Sequence, residues 1–360
     1  MTETAETPPA KRNPFKPRIE WLLVFVPIAF VLEFTHGPEV ALFATAALAV
    51  LPLALLMGHA TEELALRSGP QLGGFLNATF GNLAELIIAF FLIIEGQLAI
   101  VKASLTGAII GNVLLILGLS FLVGGWKREH QKFSLASAGL HSSTLVIAVI
   151  ALLMPALFFT AGEVTTFRTE AVSVGVSVVL IATYIFSLLF SMKTHRALFA
   201  HEGTHEKPTW SLRRGITTLA VATVFVAIMS EFLVGALEHT TEELGLSHLF
   251  VGLIIVPLIS NAAEHASAIF LAAKDKMSVS IEIAIGSSVQ IALFVAPVLV
   301  FMSLFTGNHL DLIFTGFEIA AVAFSAAILS FIALDGRSNW FEGVLLLSAY
   351  VIMAISFFFL

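Results

Sequence analysis

Apolar residues in this chain do not alternate with polar ones. They come in runs of about 20 residues, each long enough as a helix to cross a hydrocarbon core of roughly 30 Å. Clusters of charged residues, Gly and Pro divide these runs into eleven predicted spans, at about 19–36, 39–64, 73–94, 98–123, 138–159, 170–192, 215–237, 246–272, 279–304, 312–333 and 340–360. The period-two segments of about ten residues that a membrane β-barrel requires are not found. The predicted fold class is therefore an all-α polytopic membrane protein. With the N-terminus in the cytoplasm, every Lys and Arg except Lys102 and Arg168 falls on the inner side. That asymmetry orients helical membrane proteins and supports both the count and the direction. The expected location is a prokaryotic inner (plasma) membrane.

Composition agrees: 58% of residues are hydrophobic and 12% charged, whereas soluble chains carry about 25% charged residues. The net charge of -7 is spread over loops and a few intramembrane positions, and nothing in it indicates a nucleic-acid partner. Cysteine is absent, which excludes disulfides and thiolate metal sites. Lys11, Arg12, Lys16 and Arg18 precede the first apolar run, as in a signal peptide, but that run ends in Glu33, Phe34, Thr35, His36 and Gly37 with no small-residue cleavage site. It is expected to remain as an uncleaved first span.

The chain also repeats itself. Phe80-Gly-Asn-Leu-Ala-Glu-Leu86 matches Ile259-Ser-Asn-Ala-Ala-Glu-His265, placing Asn82 on Asn261 and Glu85 on Glu264. Upstream, His59-Ala-Thr-Glu-Glu-Leu64 echoes His239-Thr-Thr-Glu-Glu-Leu244, and downstream Gly107 and Gly286 keep the 179-residue offset of the two glutamates. Each copy holds five spans, and an odd number of crossings forces the second copy to enter from the opposite side. The expected organisation is a cytoplasmic segment 1–18, an extra first helix 19–38, a five-helix repeat 39–192, a cytoplasmic linker 193–214 and an inverted five-helix repeat 215–360. Inverted repeats with matched polar positions are characteristic of secondary transporters, whose substrates bind at the repeat interface. The linker histidines His195, His201 and His205 read as part of a solvated connection.

Glu85 and Glu264 fall deep in their spans, where an isolated ionised carboxylate is penalised by a few kcal/mol. Asn82 and Glu85, like Asn261 and Glu264, are three residues apart and share a helix face. Two such faces offer hard oxygen ligands and a formal charge of -2, which suits calcium better than zinc or copper. Gly81, Pro257 and Ser260 at the approaches are the residues a locally broken helix requires, Pro257 because it lacks a hydrogen-bond donor. In the ninth span Ser287 and Gln290 add oxygens where the first copy has Ala108 and Gly111; Asn112, displaced by one position, is a weaker candidate from the fourth span. With the cation gone, two buried charged carboxylates are penalised and protonation relieves them, so calcium and protons compete for one site. His265, matched by Leu86, is a candidate proton-linked gate. The His-Thr-Glu-Glu stretches lie near span ends, where solvation and capping account for them. Glu33, Glu39, Glu95 and Glu163 are expected at solvated edges.

At these residues the chain resembles the calcium/cation exchanger superfamily, in its calcium/proton antiporter branch. The resemblance rests on Phe80-Gly-Asn-Leu-Ala-Glu-Leu86, Ser260-Asn-Ala-Ala-Glu-His265, Gly286-Ser-Ser-Val-Gln-Ile291 and Ser230-Glu-Phe-Leu-Val234, and spans about residues 40 to 360. It implies eleven spans, one central cation site between the third and eighth, and Glu85 and Glu264 alternately holding calcium or protons. The family's first motif usually reads Gly-Asn-Ala-Thr-Glu, whereas Leu83 and Ala84 stand here, and serines are missing at 108 and 111; the first copy then supplies fewer ligands. The acidic stretch that several relatives carry between their halves is also missing. A sodium/calcium exchanger of the same superfamily is the alternative, although its motifs generally carry proline where Ala84 and Ala263 stand. A passive cation channel is another, since carboxylates also line pores. An intramembrane metallopeptidase using His59 and Glu62 lacks a His-Glu-x-x-His ligand set. No enzyme activity and no cofactor beyond the transported ions is expected.

Overall fold

A computed structural model describes residues 19–160, 165–195 and 208–360. The N-terminal segment 1–18, Glu163, His201 and His205 lie outside the described residues. Those described form an almost wholly helical bundle. Seven helices are long and apolar enough to cross a membrane: Glu39–Gly69, Leu98–Gly125, Leu135–Thr160, Phe167–Thr194, Leu212–Gly235, Met277–Ser303 and Trp340–Phe358. A bent pair, His248–Ser260 with Ala262–Ala273, makes an eighth if it is one span, and Trp21–Phe34, Leu83–Ile94 and Gly316–Ile332 are shorter apolar helices. Large apolar side chains such as Phe186, Phe331 and Ile352 face outward, as lipid contact requires and water would not tolerate.

Two spans lie at the centre. In Leu98–Gly125 and Met277–Ser303, 78% and 72% of the most apolar window is buried, against 22–44% in the other long helices. Their sequences explain this: Ser104, Thr106, Gly107 and Gly111 in one, and Ser280, Ser287 and Ser288 in the other, are small residues that let neighbouring helices approach. At Gly107 the approach is extreme. A Cβ there would stand 2.2 Å from the Leu253 carbonyl oxygen and 2.5 Å from its Cα, while a Cβ on Gly252 would stand 2.5 Å from that of Ala103. Leu98–Ile110 and His248–Ser260 thus pack backbone to backbone.

Element boundaries recur at the offset seen in the sequence. Leu83–Ile94 corresponds to Ala262–Ala273, and Leu98 to Met277, each 179 residues on. Widened π-helical turns follow at Gly111–Ile116 and Ile291–Val295.

Several boundaries differ from expectation. The second span does not stop at 64: helix Glu39–Phe80 runs on through the predicted loop, interrupted only at Gly69 (φ 78°, ψ 168°). Gly69 tolerates the positive φ, and Pro70 after it disfavours a helical conformation there. Pro257 does not break the eighth span. It sits in Val256–Ser260 just after the π turn Val251–Ile255, and its carbonyl accepts from the Asn261 N–H at 3.0 Å. The break falls four residues later, at Asn261, because the widened turn accommodates the missing donor. A two-residue antiparallel pairing, Gln131–Lys132 with Arg337–Ser338, ties two loops together; segments that short carry no period for sequence to show.

Candidate functional site

Two helix breaks build the site. Asn82 (φ -93°, ψ 17°) precedes Leu83–Ile94, and Asn261 (φ -96°, ψ 7°) precedes Ala262–Ala273, with a 66° bend at the second. Neither asparagine side chain caps its own helix, so both amides turn elsewhere. Glu85 and Glu264 occupy the first turn of each half-helix, where unpaired backbone N–H groups favour negative charge. The carbonyl ends of residues 70–80 and Val256–Ser260 meet the same breaks and present the negative end of the helix dipole, which favours a cation.

The matched motifs come together. A Cβ on Gly81 would stand 3.7 Å from Glu264 Oε1, and the Asn82 amide donates to Gln290 Oε1 at 2.5 Å. Ser287 faces the Glu264 carboxylate without closing a hydrogen bond to it, since its hydroxyl has none. Asn261 donates to the Pro257 carbonyl and to Ser260 Oγ, which leaves its own oxygen, Oδ1, turned away from those partners. Glu85 and Glu264 are partly exposed, yet Oε2 of each is fully buried.

Asn261 Oδ1, Glu85 Oε2, Glu264 Oε2 and Ser287 Oγ are all buried with no hydrogen-bond partner among the described residues. Buried polar atoms are seldom left so. Three of these four atoms only accept, so water, a proton or a cation satisfies them, and the ligand chemistry is hard oxygen throughout, as calcium prefers. A cavity of about 10 Å³, barely room for one water-sized body, lies beside Glu85, Ser104, Ala108, Val256 and Ser260.

Other candidates fall elsewhere. His265 is 8% exposed and its Nε2 lies 3.1 Å from Asn112 Oδ1, so Asn112 faces the histidine through its amide oxygen. That pairing joins residues 153 apart, and no periodicity in the sequence signals it. Glu63, from the first His-Thr-Glu-Glu stretch, accepts from the backbone N–H groups of Thr209 and Trp210 at 2.8 and 2.9 Å and from the Thr209 hydroxyl. His59 stacks on Trp210 at 4.8 Å. This stretch therefore anchors the end of the linker, while His239 sits near Glu39 and Glu243. Among the described residues no three His, Asp or Glu side chains converge.

The sodium/calcium exchanger protein family matches this chain twice, over residues 39–193 and 214–359, and the chain belongs to that family. Among its relatives, the Ca(2+)/H(+) antiporter of Aphanothece halophytica is 44% identical, with 94% of this chain and 95% of that one covered. The Ca(2+)/H(+) antiporter ChaA of Bacillus subtilis is also 44% identical, with 95% and 99% covered. The solved structure of native YfkE superposes with a TM-score of 0.84 at 42% identity, covering 95% of this chain and all of that one.

Proposed function

We propose that this protein exchanges calcium for protons across a membrane, with both ions using one site built by Glu85 and Asn82 from one repeat and Glu264, Asn261 and Ser287 from the other. The observation that carries the reading is the buried cluster of oxygens without donors at two matched helix breaks. Antiporter relatives of near-equal length at 44% identity support calcium and protons as the pair. Eleven crossings, an inverted duplication and a cytoplasmic N-terminus belong to the same proposal, supported by the double family match, the recurring element boundaries and the distribution of Lys and Arg.

A divalent cation neutralises the two carboxylates, and so do two protons. The empty, doubly charged pair is the costly state at this depth, and that cost couples the two flows. Access follows from the two seams. Leu98–Ile110 packs tightly on His248–Ser260 through Gly107 and Gly252, whereas the matching pair, Met277–Gln290 and Glu39–Phe80, scarcely touches, and a Cβ on Gly286 would meet nothing within 4 Å. One seam is shut and its counterpart open, so the site faces the end of the bundle that carries Arg67, Lys274 and Lys276, the cytoplasmic end in this orientation.

The test is calcium uptake into proteoliposomes under an imposed pH gradient without sodium, wild type beside Glu85→Gln and Glu264→Gln. Uptake that follows the proton gradient and vanishes in both variants is expected. Flux independent of the gradient would indicate a pore, and flux appearing only with a sodium gradient would move the protein to sodium coupling.

A further inference from the structure

A third carboxylate lies inside the same core. Glu282 is five residues into helix Met277–Gln290, about 8 Å from its start, and is partly exposed. Its Oε1 accepts a hydrogen bond from the Ser137 hydroxyl at 3.0 Å, and Ser137, 2% exposed, comes from the packed helix Leu135–Thr160. The duplication does not account for Glu282. Its counterpart at the 179-residue offset is Ala103, a small residue consumed in the tight seam against Gly252. An ionisable side chain kept inside a membrane, with no role in packing the matching seam, points to function.

Its position suggests which function. Glu282, Gly286 and Gln290 follow at four-residue steps, neighbours along one side of the helix, and Gln290 accepts from Asn82 at the cation site. Between them the space beside Gly286 is open. Water there would connect Glu282 with the Glu85–Glu264 pair over about 12 Å of helix.

We propose that Glu282, held by Ser137, is a proton-holding station outside the cation site, exchanging protons with Glu264 and Glu85 through the opening beside Gly286. The carboxyl of Glu282 gives its proton through water to a site carboxylate as the cation leaves, and the resulting Glu282 carboxylate regains a proton from the aqueous end. The reverse sequence accompanies cation binding. Titratable and charged groups on or beside the elements packed against this helix include His141, one turn beyond Ser137, Lys132 on the adjoining strand, and Lys274, Asp275 and Lys276 at the exit of Ala262–Ala273. Asp275 is already engaged by Gln131 at 2.7 Å and Arg128 at 3.6 Å.

The inference rests on the exchange reading, and one experiment separates the two. In proteoliposomes with equal pH on both sides, a calcium gradient drives proton counterflow, followed with a trapped pH dye from pH 6 to pH 9. Wild type without counterflow would overturn the exchange reading itself. With wild type active, Glu282→Gln is expected to lose rate most where protons are scarce, by about a hundredfold at the alkaline end, the lower end of what a positioned proton-transfer group contributes. Glu282→Asp should recover most of it, and Ser137→Ala should shift the profile the same way by less. Equilibrium calcium affinity, measured by titration, should not change. A Glu282→Gln profile parallel to wild type, or a loss of calcium affinity, would overturn the station; Ser137→Ala keeps the test open should Glu282→Gln fail to fold.

Discussion

Replacing Gly107 by alanine sets the closed seam against its open counterpart. The added Cβ would fall 2.2 Å from the Leu253 carbonyl oxygen, 1.2 Å inside the 3.4 Å at which ordinary contact begins. The obstacle is backbone, which cannot rotate away as a side chain could, so the two helices must part. Overpacking of this kind costs about 1–3 kcal/mol. Alanine's better helix propensity favours both arrangements alike, so the lower part of that range, about 1–2 kcal/mol or roughly 5- to 30-fold, stands against the closed seam. Because the chain has no cysteine, Ser104→Cys, which lines the small cavity beside Glu85, reports access without background. A membrane-impermeant thiol reagent applied from the side of the closed seam should label it roughly 5- to 30-fold faster with Gly107→Ala present, by the same conversion. Gly286→Ala has open space for its methyl in this arrangement but would oppose closure of its own seam, so it should not speed the labelling and is expected to slow it. Equal labelling with and without Gly107→Ala, or equal effects of the two alanines, would refute the assignment of closed and open seams.

Ser287→Ala should weaken calcium affinity more than it slows turnover, since the hydroxyl faces Glu264 without a hydrogen bond of its own; wild-type affinity in a binding titration would remove Ser287 from the ligands. Glu63→Ala strips the partner from two backbone N–H groups and the Thr209 hydroxyl, releasing the end of the linker from the second helix. Faster proteolysis of the linker with transport retained is the expected result, and an unaltered digestion rate would contradict the anchoring role. Lys102→Ala removes a half-buried contact to Asp311 at 3.1 Å and to the Ile313 carbonyl at 3.0 Å, and should lower the thermal midpoint; a variant melting with wild type would mean that pair is fully compensated by water.

The sequence alone carried the solvent, the helical class and the paired Asn and Glu positions, because each follows from a local rule. Twenty apolar residues must become a helix in lipid, and a motif repeated at a fixed offset is visible without coordinates. Asn82, Glu85, Asn261 and Glu264 stand out because polar groups at that depth are costly. The tertiary structure decided what depends on neighbours distant in the chain. It moved the break from Pro257 to Asn261, since a π turn upstream absorbed the missing donor, and it carried the second helix past its predicted end to the Gly69–Pro70 kink. It turned Asn112 toward His265, joined Glu63 to Thr209 and Trp210, and set Ser137 on Glu282. Above all it separated Gly107 from Gly286. The two are equivalent in the sequence, yet one is pressed against backbone and the other faces open space, because what each meets is set by helices distant in the chain.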